Sequence, residues 1–187
     1  APPSPPLPPL AIPPLPTLTC HDASLSAIAG YPCALSLGAS PMQLHYHLTR
    51  THLKARVTCS VCMSGWLALG FAAQPGLMTP GSTAIIGWPG DGFMGVHLLS
   101  ARAVEAVTPL SAQGLTDTAV KSDEGGMTLS FTAPLDAQYG IPPGLASPPA
   151  SLLYAAGTAS VGRAYHDRFR GALTAELMEL PNILQPP

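Results

Sequence analysis

Charge is what this chain lacks most. Lys, Arg, Asp and Glu together make up 10% of its residues, against roughly 25% in an ordinary soluble domain. Eight basic and ten acidic residues leave a formal net charge of −2. There is no basic surplus to neutralise phosphates, so bulk electrostatic binding to nucleic acid is excluded. Lysine is almost absent (Lys54, Lys121), and Asn182 is the single asparagine. Ile and Leu follow it, so the chain offers no N-glycosylation sequon. Genomic composition bias accounts for both shortages. Long apolar runs are missing too. Residues 57–90 carry no charge, but Pro75, Pro80 and Pro89 interrupt them. The cleanest apolar part, Val61 to Ala73, has 13 residues, and a spanning helix needs about 20. The segment therefore reads as buried strands, with no membrane span. No G-x-S-x-G, H-E-x-x-H, EF-hand loop, glycine-rich phosphate loop or internal repeat is present. The acidic residues are few and scattered, which gives no support to a glycosidase carboxylate pair. The absences favour an electron-transfer or binding module over a stand-alone enzyme.

What the chain does have is turn-forming residues and apolar ones. It contains 23 prolines and 18 glycines, and 47% of its residues are hydrophobic. That apolar content builds a core. Long helices cannot house the prolines. The length of 187 residues suits one domain with tails. Residues 1–16 read APPSPPLPPLAIPPLP, nine of them proline, so residues 1–19 are expected to form an extended polyproline II tail. Its Ser-Pro-Pro character resembles extensin-like cell-wall proteins, whose prolines are hydroxylated and glycosylated. The plainer reading is a stalk or linker. The N-terminus has no basic n-region and no continuous apolar h-region, so it does not read as a signal peptide. A signal removed in secretion would leave Ala1 as the mature end.

From Cys20 the pattern changes to strands. Met42 to Thr49 alternates strictly, with Met42, Leu44, Tyr46 and Leu48 on one face and Gln43, His45, His47 and Thr49 on the other. Lys54–Cys59 is its expected antiparallel mate. Further strands are expected at Gly65–Ala72, Thr83–Trp88, Met94–Ser100, Val104–Val107, Met127–Ala133, Leu152–Gly157 and Ala172–Glu179. Their close recurrence, with turn signals between them, predicts an all-β sandwich over residues 20–180. A short tail, 181–187, follows.

Cys20, Cys33, Cys59 and Cys62 form an even set, which suits disulfides in a secreted domain. Cys59-Ser-Val-Cys62 also has the form of a metal or redox-thiol motif. A zinc site needs a second such pair, and Cys20 and Cys33 do not supply it. Disulfides between the two pairs would staple the N-terminal segment to the sandwich. Among the histidines, His45 and His47 share a strand face two residues apart and offer a weaker copper or other metal option. His21, His52 and His97 stand alone. His166 follows the Leu152–Gly157 strand in an arginine-rich stretch.

Gly65-Trp-Leu-Ala-Leu-Gly-Phe-Ala72, Met78, Gly81-Ser82 and Ala84-Ile-Ile-Gly-Trp-Pro89 together resemble the core of the DOMON domain. Leu153-Tyr-Ala-Ala-Gly157 followed by Tyr165-His166 resembles its C-terminal signature. Met78-Thr79 with Trp88-Pro89 is similar to the cytochrome domain of cellobiose dehydrogenase. Cys20, Tyr31-Pro-Cys33 and Leu44-His-Tyr46 are similar to the auxin-responsive apoplastic cytochromes of plants. The resemblance spans about Cys20 to Leu180. It implies an immunoglobulin-like antiparallel β-sandwich of about ten strands. Its redox members hold one b-type haem between a methionine and a histidine. By position these are Met78 and His166, on loops expected at one end of the sandwich. The family places glycine two positions after the methionine, whereas here Met78-Thr79-Pro80-Gly81 has one residue more. Met42, Met63 and Met94 suit the ligand role less well. Arg163, three residues before His166, would pair a haem propionate. The resemblance thus implies an extracellular one-electron carrier served by a redox partner protein or a small reductant. Haem-free members imply the alternative, a cell-surface or wall glycoprotein module that binds carbohydrate or a neighbouring protein.

Overall fold

The computed structural model describes Cys20, Leu25, residues 28–75, Met78, residues 80–143, Leu145, and residues 149–158 and 166–180. Eleven strands run in chain order: β1 Cys33–Ser36, β2 Met42–Leu48, β3 His52–Cys59, β4 Trp66–Phe71, β5 Ser82–Trp88, β6 Phe93–Leu99, β7 Val107–Pro109, β8 Thr116–Asp123, β9 Gly126–Pro134, β10 Ala150–Gly157 and β11 Phe169–Ala175. Among the described residues the helical elements are two single 3-10 turns, Val104–Ala106 and Ala137–Tyr139. No helix among them is long and apolar enough to cross a membrane. The strands form two antiparallel sheets. One has the order β1-β2-β3-β9-β8, and the other β11-β10-β4-β5-β6-β7. The chain is an all-β sandwich, as its turn-rich composition predicts.

Alternation explains the packing between the sheets. In β2, Met42, Leu44, Tyr46 and Leu48 all point inward and are buried. Register aligns Leu44 with Val57 and Leu129, and Tyr46 with Ala55 and Phe131. Each row therefore presents apolar side chains from three strands to the facing sheet. That sheet answers with Leu67, Leu69, Phe71, Ile85, Val96 and Leu152, all in the same cluster. Burying one such Leu or Phe contributes about 1.5–3 kcal/mol. Beyond β11 the chain crosses back to the first sheet. The Leu180 N–H donates to Leu48 O at 2.8 Å, and the Met178 N–H donates to the Tyr46 hydroxyl at 3.2 Å.

Several expectations are corrected. β1 and β8 were not anticipated. Residues 104–106 form a 3-10 turn, and β7 begins only at Val107. β11 starts at Phe169, opposite Ala156, and ends at Ala175. The disulfides do not cross between the pairs: Cys20 bonds Cys33 and Cys59 bonds Cys62. The second bridge spans the turn that follows β3, where the Cys62 N–H donates to Cys59 O at 3.2 Å. This turn already brings the two residues together, so no distant partner is needed. Among the described residues no cysteine is free.

Candidate ligand cleft on the outer sheet face

An antiparallel sheet that faces water on one side normally shows polar residues there. The middle of the six-stranded sheet does not. All residues of β4 are buried. The face turned away from the sandwich core carries Trp66, Ala68, Ala84, Ile86, Trp88, Leu99 and Leu153, which form a second apolar cluster. Trp66 and Trp88 are only 5% and 4% exposed although they lie outside the core. Residues from the β4–β5, β6–β7 and β10–β11 loops rim this face, leaving a cleft of about 640 Å³. That volume lies within the range of small-molecule and cofactor sites.

Small residues keep the floor low. Ala155, Ala68 and Ile86 align across three strands, and Leu153, Gly70 and Ala84 align in the next row. A Cβ at Gly70 would come within 2.8 Å of Thr83 O and 3.1 Å of Leu153 Cβ, so no side chain fits there. The Trp66 indole lies against the backbone of Gly157, where a Cβ would collide with it. The indole Nε1 atoms of Trp66 and Trp88 are buried without a partner among the described residues. Trp88 also meets the rings of Phe93 and His97, each at 5.8 Å between centroids.

Two donor atoms of interest reach this cleft from loops. Met78 comes from the β4–β5 loop and His166 from the β10–β11 loop, and both line the cavity. β4 and β10 are antiparallel neighbours, with Phe71 opposite Leu152 and Trp66 opposite Gly157. Loops that follow two opposed strands leave from opposite ends of the sheet. The expectation of one shared end is thus corrected: Met78 and His166 approach the same face from its two ends. Each loop is pinned at its neck. The Ala73 N–H donates to Ser82 Oγ at 3.0 Å. The Thr158 N–H donates to Asp167 Oδ1 at 2.8 Å, and the Thr158 hydroxyl donates to Asp167 Oδ2. Hydrogen bonds from Thr158, the hydroxyl foremost, hold the Asp167 carboxyl below the usual carboxylate range. Arg170 Nη1 donates to His166 Nδ1 at 3.3 Å.

The other candidates are distributed elsewhere. Arg163 lies outside the described residues, as do His21, residues 1–19 and residues 181–187. Met42 is in the core, and Met63 is exposed. His45 and His47 do share the outer face of the five-stranded sheet, but His45 is buried. Tyr31 crosses this face, with Lys54 Nζ 5.2 Å from its ring centroid. Burial there pushes its phenol above the ordinary value, against the pull of Arg56. Among the described residues no group of three or more His, Cys, Asp or Glu gathers to hold a metal ion. The sequence reading did not single out Trp66, Trp88, Arg102 and Arg170 as site residues. Its available signal was the fully apolar run of β4, which in an antiparallel sheet requires a cover on both faces.

A thioether and an imidazole opening onto one apolar cleft are a donor pair that suits haem iron. Among the described residues, the Lys, Arg, Asp and Glu side chains that line the cleft are Arg102 and Arg170. An apolar body that carries acidic groups fits this lining. No protein-family model matches the chain, and no curated protein matches it in sequence.

Proposed function

We propose that this chain is an extracellular b-type cytochrome module of the DOMON kind, carrying one electron through a haem held by Met78 and His166. The observation that carries the reading is the convergence of these two side chains, from opposite ends of the sheet, on one apolar cleft. Haem supplies reversible one-electron chemistry when bound. The chain's residues do the rest. Met78 and His166 would hold such a group through a thioether and an imidazole, and the Met78 thioether would favour its reduced state and raise its potential. Ala68, Gly70, Ala84 and Ala155 provide a flat floor, and Trp66, Ile86 and Leu153 keep water from it. Two disulfides with no free cysteine among the described residues suit an oxidising compartment. A redox protein or small reductant would exchange electrons at the cleft mouth.

A second reading has its own observation. Trp66 and Trp88 both line the same cleft, and aromatic rings in a cleft wall suit contact with the apolar face of a sugar. One spectrum separates the two readings. Protein reconstituted with excess haem should show a shifted Soret band and a sharp α-band on reduction. Neither feature appearing would end the cytochrome reading and leave the haem-free carbohydrate-binding module.

A further inference from the structure

We infer that the outer face of the five-stranded sheet binds an oxyanion, sulfate or phosphate, between Lys54, Arg56 and Thr132. This site is separate from the cleft and does not depend on the haem reading. Lys54 and Arg56 alternate along β3, so both stand on its outward side, about 7 Å apart. Antiparallel register sets His47 and Thr132 on either side of Lys54, and His45 and Ser130 on either side of Arg56. None of these four facing positions is acidic. Neither Lys54 nor Arg56 forms an ion pair with an Asp or Glu among the described residues. Asp117, from the bulge of β8, bears on Tyr31 across the same face but pairs with neither cation. Like charges held on neighbouring positions repel, and the fold sets no carboxylate opposite them.

A second observation points to the same patch. Arg56 Nε and Thr132 Oγ1 are buried with no hydrogen-bond partner among the described residues. They stand on diagonal positions, because Thr132 lies opposite Lys54 and Ser130 opposite Arg56. Buried polar groups in folded proteins are almost always bonded, so two on one patch mark a missing partner. Water would satisfy the atoms but leave both charges uncompensated. An oxyanion answers both needs. One oxygen accepts from the Arg56 Nε–H, another from the Thr132 hydroxyl, and the Lys54 ammonium shares the charge. The turn Ile28–Tyr31 forms a roof. The Tyr31 N–H donates to Ile28 O at 2.8 Å, the Tyr31 ring centroid lies 5.2 Å from Lys54 Nζ, and its hydroxyl is hydrogen-bonded to Ser130. A Cβ at Gly30 would stand 3.3 Å from Lys54 Nζ, so glycine leaves the ammonium room to turn towards the ion. The Cys20–Cys33 bridge closes the loop that carries this roof.

The test titrates inorganic sulfate, and separately phosphate, into the full chain at fixed ionic strength, with chloride as the balancing ion and no haem present. The wild type should bind saturably by calorimetry, and the Arg56 Nε–H resonance should shift along the same curve. Thr132→Val keeps the shape of the side chain and removes the hydroxyl, and it should weaken binding about tenfold. Lys54→Gln should weaken it at least as much. Arg56→Gln should abolish it. Arg102→Gln, in the cleft, should leave it unchanged. Sulfate also stabilises folded proteins through exclusion from their surface, but that effect does not saturate and is the same in every variant. A response that fails to saturate for either ion, or that is equal in the wild type, Lys54→Gln and Thr132→Val, overturns the site. Loss of binding in Arg102→Gln with Lys54→Gln unaffected also overturns it, by putting the ion in the cleft. None of these outcomes bears on whether Met78 and His166 hold a haem.

Discussion

The two disulfides close loops of very different length, and stability should reflect the difference. Cys20 and Cys33 are 13 residues apart, Cys59 and Cys62 only 3. In the chain-entropy treatment the first bridge is worth about 3 kcal/mol and the second about 1.6 kcal/mol. Replacing the cysteines would confuse the comparison, because Cys33, Cys59 and Cys62 are fully buried and losing their sulfurs adds cavity costs. The cleaner perturbation is reduction of a bridge left alone in the protein. Cys59→Ala/Cys62→Ala retains only the long loop, and Cys20→Ala/Cys33→Ala only the short one. Urea unfolding of each variant, oxidised and reduced, isolates one bridge with its sulfurs in place. With a slope of about 2 kcal/mol/M, reduction should move the midpoint by about 1.5 M in the first variant and about 0.8 M in the second. Bridges between the pairs would have closed longer loops, each worth about 4 kcal/mol. Peptide mapping of the wild type without reductant fixes the connectivity independently. If the short-loop variant loses as much on reduction as the long-loop variant, the reasoning from loop length is refuted.

Other consequences can be checked with single substitutions. Met78→Ala should lower the potential of the reconstituted protein and let carbon monoxide bind; an unchanged spectrum would remove Met78 from the ligand set. His166→Ala should weaken haem retention more than Met78→Ala does, because imidazole is the stronger ligand for ferric iron. Gly157→Ala should drive a Cβ into the Trp66 indole, costing about 1–3 kcal/mol and changing the tryptophan emission. A neutral substitution there would mean the indole does not rest on that backbone. Burial pushes the Tyr46 phenol up, although the Met178 N–H pulls the other way. The folded form thus holds this proton more tightly than the unfolded form. The stability it brings is fully present below about pH 10 and is lost as pH rises through the folded value. Tyr46→Phe should cost about 1 kcal/mol at neutral pH and flatten part of the alkaline fall seen in thermal melts.

Strand existence was legible wherever one face had to be buried. Met42 to Leu48 alternates because it faces the core on one side only, and its expected face is the observed one. β8 reads TDTAVKSD and was invisible, because an edge strand with exposed residues on both faces needs no pattern. β1 is too short, at four residues, to show a period. Residues 104–106 have strand-like composition, but a local turn satisfied their backbone first. At the candidate site, Met78 and His166 were nominated through resemblance and their two neighbourhoods, not through any spacing between them, and what the structure adds is that both line one cleft. Their shared cleft depends on the antiparallel pairing of β4 with β10, which no local pattern encodes. Arg170 escaped notice for the same reason: its relation to His166 across the turn is set by where β11 begins, and the sequence placed that start three residues late.

The hydrogen bonds at Ala73/Ser82 and Thr158/Asp167 set off the segments that carry Met78 and His166 from the strands on either side. Each clasp ends the strand register before the loop begins, so what lies between the clasps can be exchanged without shifting a residue of the sheets. A lineage could replace one segment and keep the other, trading thioether for imidazole at one end of the sheet while the opposite end stayed as it was. The same partition offers an engineer two independent ports on one scaffold. A transplanted segment need only match the width of the neck and carry a side chain long enough to reach the tryptophan-walled floor.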